Sequence, residues 1–153
     1  MNLKEQFSHL AATEILAPTV RTATATATVV DLQGYKSALF LIRVAAGGIT
    51  FDGTNNLNFE LQDSPDNSTF TDVDITKVLG VTDATLTGGI IKKWTAAKAA
   101  VSLNVFAYTG GQRYLKLINN FNGTHGTGTL TQAIVVLGDA AYQPVNNPIA
   151  VAN

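Results

Sequence analysis

Between Leu57 and Gln62 apolar and polar side chains alternate without a break: Leu57, Phe59 and Leu61 on one parity, Asn58, Glu60 and Gln62 on the other. That period of two puts the apolar set on one face of an extended chain and predicts a half-buried antiparallel strand. Ser64, Pro65, Asp66 and Asn67 follow. Proline supplies a fixed φ and the Asp and Asn side chains bond their own backbone, so the chain reverses there and returns through Phe70 and Val73 as a hairpin.

The same reading covers the rest of the chain. Leu3, Phe7 and Leu10 are spaced i, i+4, i+7 with Lys4, Glu5 and Gln6 between them, which predicts an amphipathic helix within residues 3 to 16, ended by Pro18. Thr22 to Leu32 alternates Thr with small apolar residues and predicts a strand packed close to another layer or along an edge. Ser37 to Ala45 is almost continuously apolar, with Arg43 its one charge, and predicts a strand that is central or buried on both faces. Asp74 to Val81 reads as a short helical turn or irregular connection. Ile90 to Trp94, Val101 to Tyr108, Arg113 to Phe121 and Thr129 to Leu137 read as further strands. The Gly- and Thr-rich stretch 122 to 128 is expected to be a flexible tip, and 139 to 153 an extended tail.

About seven or eight short strands with little helix predict an all-β fold, an antiparallel β-sandwich or jelly roll with a short N-terminal helix or arm. No pair of strands is joined by a convincing crossover helix, which disfavours a parallel sheet. The expected organisation is an N-terminal helical arm over 1 to 20, a β-sandwich domain over 21 to 138 and a C-terminal tail over 139 to 153. A chain of 153 residues is long enough for one such domain and short for two.

Charged residues make up only 14% of the chain, against roughly 25% in an average domain. A Thr-, Asn- and Gly-rich surface with so little charge fits one covered by partners, and equally a β-protein that uses hydroxyls as its polar surface. With a net charge of −1 and no basic run, the chain lacks the footprint needed to grip phosphate backbones, so nucleic acid is not an expected partner. There is no cysteine, hence no disulfide and no thiolate chemistry, which leans toward folding in a reducing cytosol. No apolar run approaches the roughly 20 residues that span a bilayer, and the first residues do not read as a signal peptide.

Reactive constellations are not evident. His9 and His125 have no carboxylate or second histidine at ligand spacing and are read as surface residues. Asp63, Asp66, Asp72 and Asp74 bracket the hairpin without an EF-hand pattern, and turn chemistry accounts for Asp63 and Asp66. Glu60 paired with a nearby aspartate would be the glycosidase nomination, but a solvated glutamate on a polar strand face is the simpler reading. Trp94, Tyr35, Tyr108, Tyr114 and Tyr142 are the rings available for a sugar-stacking platform. The sequence therefore nominates no catalytic, cofactor-binding or metal-binding residue.

The succession Val30 to Tyr35, Phe59 to Val73, Gly111 to Leu117, a Gly/Thr-rich tip and a hydrophobic strand ending near Pro144 resembles small structural proteins encoded among the head genes of tailed bacteriophages. The resemblance covers about residues 22 to 144. It implies a jelly-roll-like capsid decoration or cement protein, assembled in the host bacterial cytoplasm, that sits on the capsid exterior and staples adjacent major capsid protein subunits, often as a dimer or trimer. On that view the partner-binding residues are apolar side chains of the terminal segments: Leu3, Phe7, Leu10, Pro148, Ile149 and Val151. Neither a nucleic acid nor a membrane is an expected partner. The alternatives are a carbohydrate-binding or host-attachment module on the virion, or a tail or neck component.

Overall fold

The computed structural model describes residues 9–46, 48–96 and 100–141. Its strands are β1 (Ala11–Arg21), β2 (Ala25–Thr26), β3 (Val30–Asp31), β4 (Ser37–Val44), β5 (Asn56–Ser64), β6 (Thr71–Asp72), β7 (Val78–Leu79), β8 (Ile90–Trp94), β9 (Ser102–Tyr108), β10 (Tyr114–Asn122) and β11 (Thr129–Gly138). A five-stranded sheet runs β1-β11-β4-β9-β7. The second sheet is built on the β5·β10 pair, with β2 and β3 following one another along the free side of β10 and β6 and β8 along the free side of β5.

Every described pairing is antiparallel, and the pairs are nested: β1 with β11, β2 and β3 with β10, β4 with β9, β5 with β8. That nesting is one long antiparallel hairpin rolled into two layers, which is the jelly-roll topology. Eleven described strands replace the seven or eight expected because the segment expected as helix supplies β1, the stretch read as one strand from Thr22 to Leu32 is split into β2 and β3, and the short edge piece β7 follows the expected return strand β6.

The core lies between the layers. Ala38, Phe40, Ile42 and Val44 of β4 face Leu57, Phe59 and Leu61 of β5, with Leu115 and Leu117 of β10, Ala133 and Val135 of β11 and Phe106 of β9. Each of these side chains follows the period-two rule, so the inner face of each sheet is what the alternation in the sequence supplies. Fully burying a Phe or Leu is worth about 1.5–3 kcal/mol relative to exposure, and this set is the main source of stability.

Two local features depart from the sequence reading. From Ala11 onward the segment expected as helix is the edge strand β1, with Pro18 inside it; residues 3 to 8 lie outside the described residues. Tertiary pairing with β11 overrides the weak helical periodicity, and proline is tolerated because β1 is an edge strand with irregular register around Leu16. The irregularity frees carbonyls that Arg21 takes up: its guanidinium donates to Ala17 O at 2.8 Å, Thr19 O at 3.1 Å and Thr131 O at 2.9 Å. The second departure is the 122–128 tip, which is anchored: Thr124 N–H donates to Asn55 Oδ1 at 2.8 Å, and His125 is buried against Phe121 and Phe51. Gly123 has φ +84, and a Cβ there would collide with Asn55, so the turn and the close approach both require glycine.

The hairpin after β5 forms as expected. Asp66 Oδ1 accepts from the N–H groups of Ser68 and Thr69, and these bonds, that of Thr69 foremost, hold its carboxyl below the ordinary carboxylate range. Asp74 caps the single 3-10 turn Ile75–Lys77. Asp63, however, is not a turn residue. It is buried at the end of β5 and accepts a 2.7 Å hydrogen bond from the Tyr108 hydroxyl of β9, which crosses from one sheet to the other. That hydroxyl also accepts from Gln112 N–H, and a Cβ on Gly110 would strike the Tyr108 ring.

Burial, and secondarily the bond to Asp63, push the Tyr108 phenol up to about 12 from its ordinary value of 10. A raised folded-state value contributes stability that is complete below the unfolded value and is lost as pH rises through the folded one. Urea melts are therefore expected to show stability falling between pH 10 and about 12 in the wild type, and less so in Tyr108→Phe. Near neutral pH the same substitution is expected to cost about 1–3 kcal/mol, because it leaves Asp63 Oδ2 buried without its donor, while Thr71 Oγ1 still donates to Oδ1.

Candidate functional site

The two outer faces of the sandwich are chemically opposite. On the β5·β10 sheet the outward side chains are mostly polar, with Ile118 opposite Glu60 an apolar exception, and many are tied to each other: Asn122 Nδ2 donates to Asn56 Oδ1 at 2.9 Å, Asn120 Nδ2 to Asn58 Oδ1 at 3.1 Å and Glu60 Oε2 at 2.9 Å, and Gln62 Nε2 to Glu60 Oε1 at 2.8 Å and Asp72 Oδ1 at 3.0 Å. Glu60 is thus a rung of an amide ladder, with both oxygens occupied. Its role here is structural.

On the five-stranded sheet the outer face is apolar. Register places Ala12, Val136, Leu39, Ala107 and Leu79 in one row across all five strands, and Glu14, Ile134, Leu41 and Val105 in the next. Gln132, Arg43 and Leu103 form the third row, and Val20 and Leu130 lie beyond it, with Val101 in phase with Leu103 and Val105 just before β9. All five large apolar side chains that stand well exposed among the described residues belong to this face: Leu103 (63%), Leu79 (61%), Val20 (58%), Val101 (51%) and Val105 (46%). Leu39, Leu41, Ile134 and Val136 are half-buried between them.

Strands about 4.8 Å apart, with same-face residues about 6.8 Å apart, give this face on the order of 500 Å² in plan, at the upper end for an unpartnered monomer. Its polar content is small. Gln132 Nε2 donates to Glu14 Oε1 at 2.8 Å, and Arg43 is exposed with no ion pair among the described residues. Arg43 and Glu14 are the only two charges in the four rows, so the face is electrically neutral as well as apolar.

The residues nominated from sequence fare differently. Leu10 is half-buried and packs back toward Gly138 at the end of β11; Leu3, Phe7, Pro148, Ile149 and Val151 lie outside the described residues. Ala11 pairs with Leu137, so the described chain enters and leaves the sandwich at the same corner of the five-stranded sheet. His125 corrects the surface reading: it is 3% exposed, its Nε2 2.8 Å from Asn122 O, and it plugs the tip between two phenylalanines. Among the described residues no three His, Asp or Glu side chains come together as a metal site. Among the described residues the rings nominated for a sugar platform form no ring pair with one another. Tyr108 is buried, Trp94 sets its edge on Phe59 with Lys92 Nζ 6.0 Å over the ring, and the Arg113 guanidinium lies 4.8 Å over Tyr114. Tyr35 packs against the core, and Tyr142 lies outside the described residues.

What the sequence reading missed is the outer apolar face itself. Its signal is present: β4 and β11 carry large apolar residues on both parities, as in Leu39-Phe40-Leu41-Ile42 and Ile134-Val135-Val136-Leu137. Such runs are read as strands covered on both faces, but no described element covers the second face.

No protein-family model and no curated protein matches the chain. Among solved structures, the SPBc2 prophage-derived protein YomS aligns with a TM-score of 0.42 and 11% identity over 84% of this chain and 95% of that one. A Bacillus endospore appendage protein of disulfide-linked pili aligns at 0.42 and 8%, over 86% and 89%. The CBM36-1 domain of a xylanase from the hindgut metagenome of Trinervitermes trinervoides aligns at 0.41 and 6%, over 87% and 99%. Likeness at this level carries no functional argument, and the jelly-roll assignment stands on strand order.

The exposed and buried apolar sets have different expected sensitivities. Leu103→Ser is expected to change the stability of the isolated chain by no more than about 0.5 kcal/mol, whereas Phe59→Ala is expected to cost about 3–5 kcal/mol. Denaturant titration of the two variants, at concentrations low enough to keep the chain monomeric, checks this, and equal losses there would mean that Leu103 is covered within the chain.

Proposed function

We propose that the chain is a structural protein of a tailed-phage virion that binds the outside of the capsid and cements adjacent major capsid subunits. The observation that carries this reading is the neutral, apolar outer face of the five-stranded sheet, running from Leu79 and Leu39 to Leu103 and Val20. A face of this kind is costly to leave in water and is the mark of a protein that works by being covered. The succession of motifs that resembles phage head proteins supports the choice of assembly.

Cementing needs summed contacts. A copy that touches two capsid subunits at once raises the effective concentration of every second contact, so modest interfaces suffice. The described chain enters and leaves the sandwich at one corner, and the sequence beyond it on either side, residues 1–8 and 142–153 with Leu3, Phe7, Pro148, Ile149 and Val151, supplies the proposed grips. Because β1 begins at Ala11, deletions that test them stop at residue 8 and start at residue 142.

A carbohydrate-binding or host-attachment role is the second reading, favoured by the amide-rich outer face of the β5·β10 sheet. Against it, those amides already bond each other, and the Trp94 and Tyr114 rings each carry a cation nearby.

Mixing the purified protein with capsids that lack it, before and after expansion, tests the proposal by sedimentation and by the temperature of capsid disruption. Saturable binding to expanded capsids with a raised disruption temperature is the expected result, weakened when residues 1–8 and 142–153 are removed. Failure to bind any capsid overturns it and directs attention to tails and glycans.

A further inference from the structure

The four edges of the two sheets are unequal in how they discourage association, and so are the two faces. Pro18, irregular pairing and Arg21 guard the β1 edge; the second sheet is flanked by the short pieces β2, β3 and β6 and by β8 with Lys92 and Lys93. Prolines, bulges, lysines and very short strands are the usual devices against unwanted pairing. The outer face of the five-stranded sheet has no such device. Its charges are one carboxylate, Glu14 on the edge strand β1, and one guanidinium, Arg43 on the central strand β4.

We infer that this face packs against the same face of a second copy about a two-fold axis, giving a four-layered dimer with the amide-rich sheets outermost. The inference names the occupant of the face and rests on the reading that this face is covered in the working protein. Three observations favour a copy of the chain over another partner. A two-fold interface is self-complementary, so each residue's role is repeated, and a neutral face with one charge of each sign can pair Glu14 of each copy with Arg43 of the other. Arg43 has no ion-pair partner of its own among the described residues. The apolar area, on the order of 500 Å² in plan and more along the contours of its side chains, approaches the roughly 800 Å² per partner of a standard stable interface.

Sheets with twisted apolar faces pack at about 10 Å separation with interdigitated side chains, as the inner faces already do in this fold. Leu41 and Ile134 lie mid-face and would form the desolvated centre, with Leu79, Leu103 and Val105 along one flank. The dimer also supplies what cementing requires. Two copies related by a two-fold axis carry two sets of terminal segments, so one dimer is bivalent for capsid subunits.

Sedimentation equilibrium of the full chain across the micromolar range tests the inference. The wild type is expected to be a dimer. Leu103→Asp, at a site exposed enough to leave folding intact, is expected to weaken it at least about tenfold, since each substitution acts twice. Arg43→Glu alone is expected to weaken the dimer, and combining it with Glu14→Arg to restore it, a rescue that simple loss of apolar contact does not produce. A monomeric wild type, a dimer indifferent to Leu103→Asp, or failure of the charge exchange to restore association each overturns the inference. The capsid-binding assay separates this from the wider proposal. A monomer that still binds expanded capsids, and loses binding with Leu103→Asp, makes the face a capsid contact; a dimer that binds no capsid keeps the interface and removes the cement role.

Discussion

Everything in this fold depends on two antiparallel sheets presenting continuous apolar faces to each other. The β5·β10 pair runs in unbroken register from Asn56 opposite Asn122 to Ser64 opposite Tyr114, which holds Leu57, Phe59, Leu61, Leu115 and Leu117 inward. Because the side-chain period is two, a slip of β5 by one residue would drive Asn58, Glu60 and Gln62 into the core and expose Leu57, Phe59 and Leu61. The polar ladder on the outside is the other half of the same constraint, since it ties the outward amides to their partners in the correct register only.

The five-stranded sheet is under a weaker version of that rule. β4 and β11 are apolar on both parities, so a slip would exchange one apolar set for another and the hydrophobic pattern alone discriminates poorly. Its register is held by the few polar residues. Arg43 and Gln132 sit opposite each other on the outside; Thr129 and Thr131 point inward, where Asn119 Nδ2 donates to Thr131 Oγ1 at 2.7 Å. The Tyr108 to Asp63 bond then fixes how the two sheets sit on one another at the β9 end. A sheet whose outer face repeats the composition of its inner face is one that another layer can cover, and this connects the energetics of folding to the proposed role. Low charge belongs to the same account: a surface meant to be covered is depleted of groups that are expensive to desolvate.

Local chemistry in the sequence was sufficient for much of this. The alternation of Leu57, Phe59 and Leu61 and the Asp66 turn specified the hairpin, and the strands at 37, 90, 102, 114 and 129 were legible from runs and turn residues, as was the jelly-roll class from their number and spacing. These features are decided by neighbours within a few residues, where steric and hydrogen-bonding preferences act directly. What the sequence could not decide were features fixed by distant partners. Whether Leu3 to Leu16 would be helix or strand turned, from Ala11 on, on pairing with β11, more than a hundred residues away. Asp63 read as a turn residue until Tyr108 was brought to 2.7 Å from it, and His125 read as surface until the tip folded it between Phe51 and Phe121. The apolar outer face was the largest such case. A strand with apolar residues on both parities states that both faces avoid water, but only the assembled sandwich shows that one of them has nothing of its own chain described against it, because covering is a property of layers and not of strands.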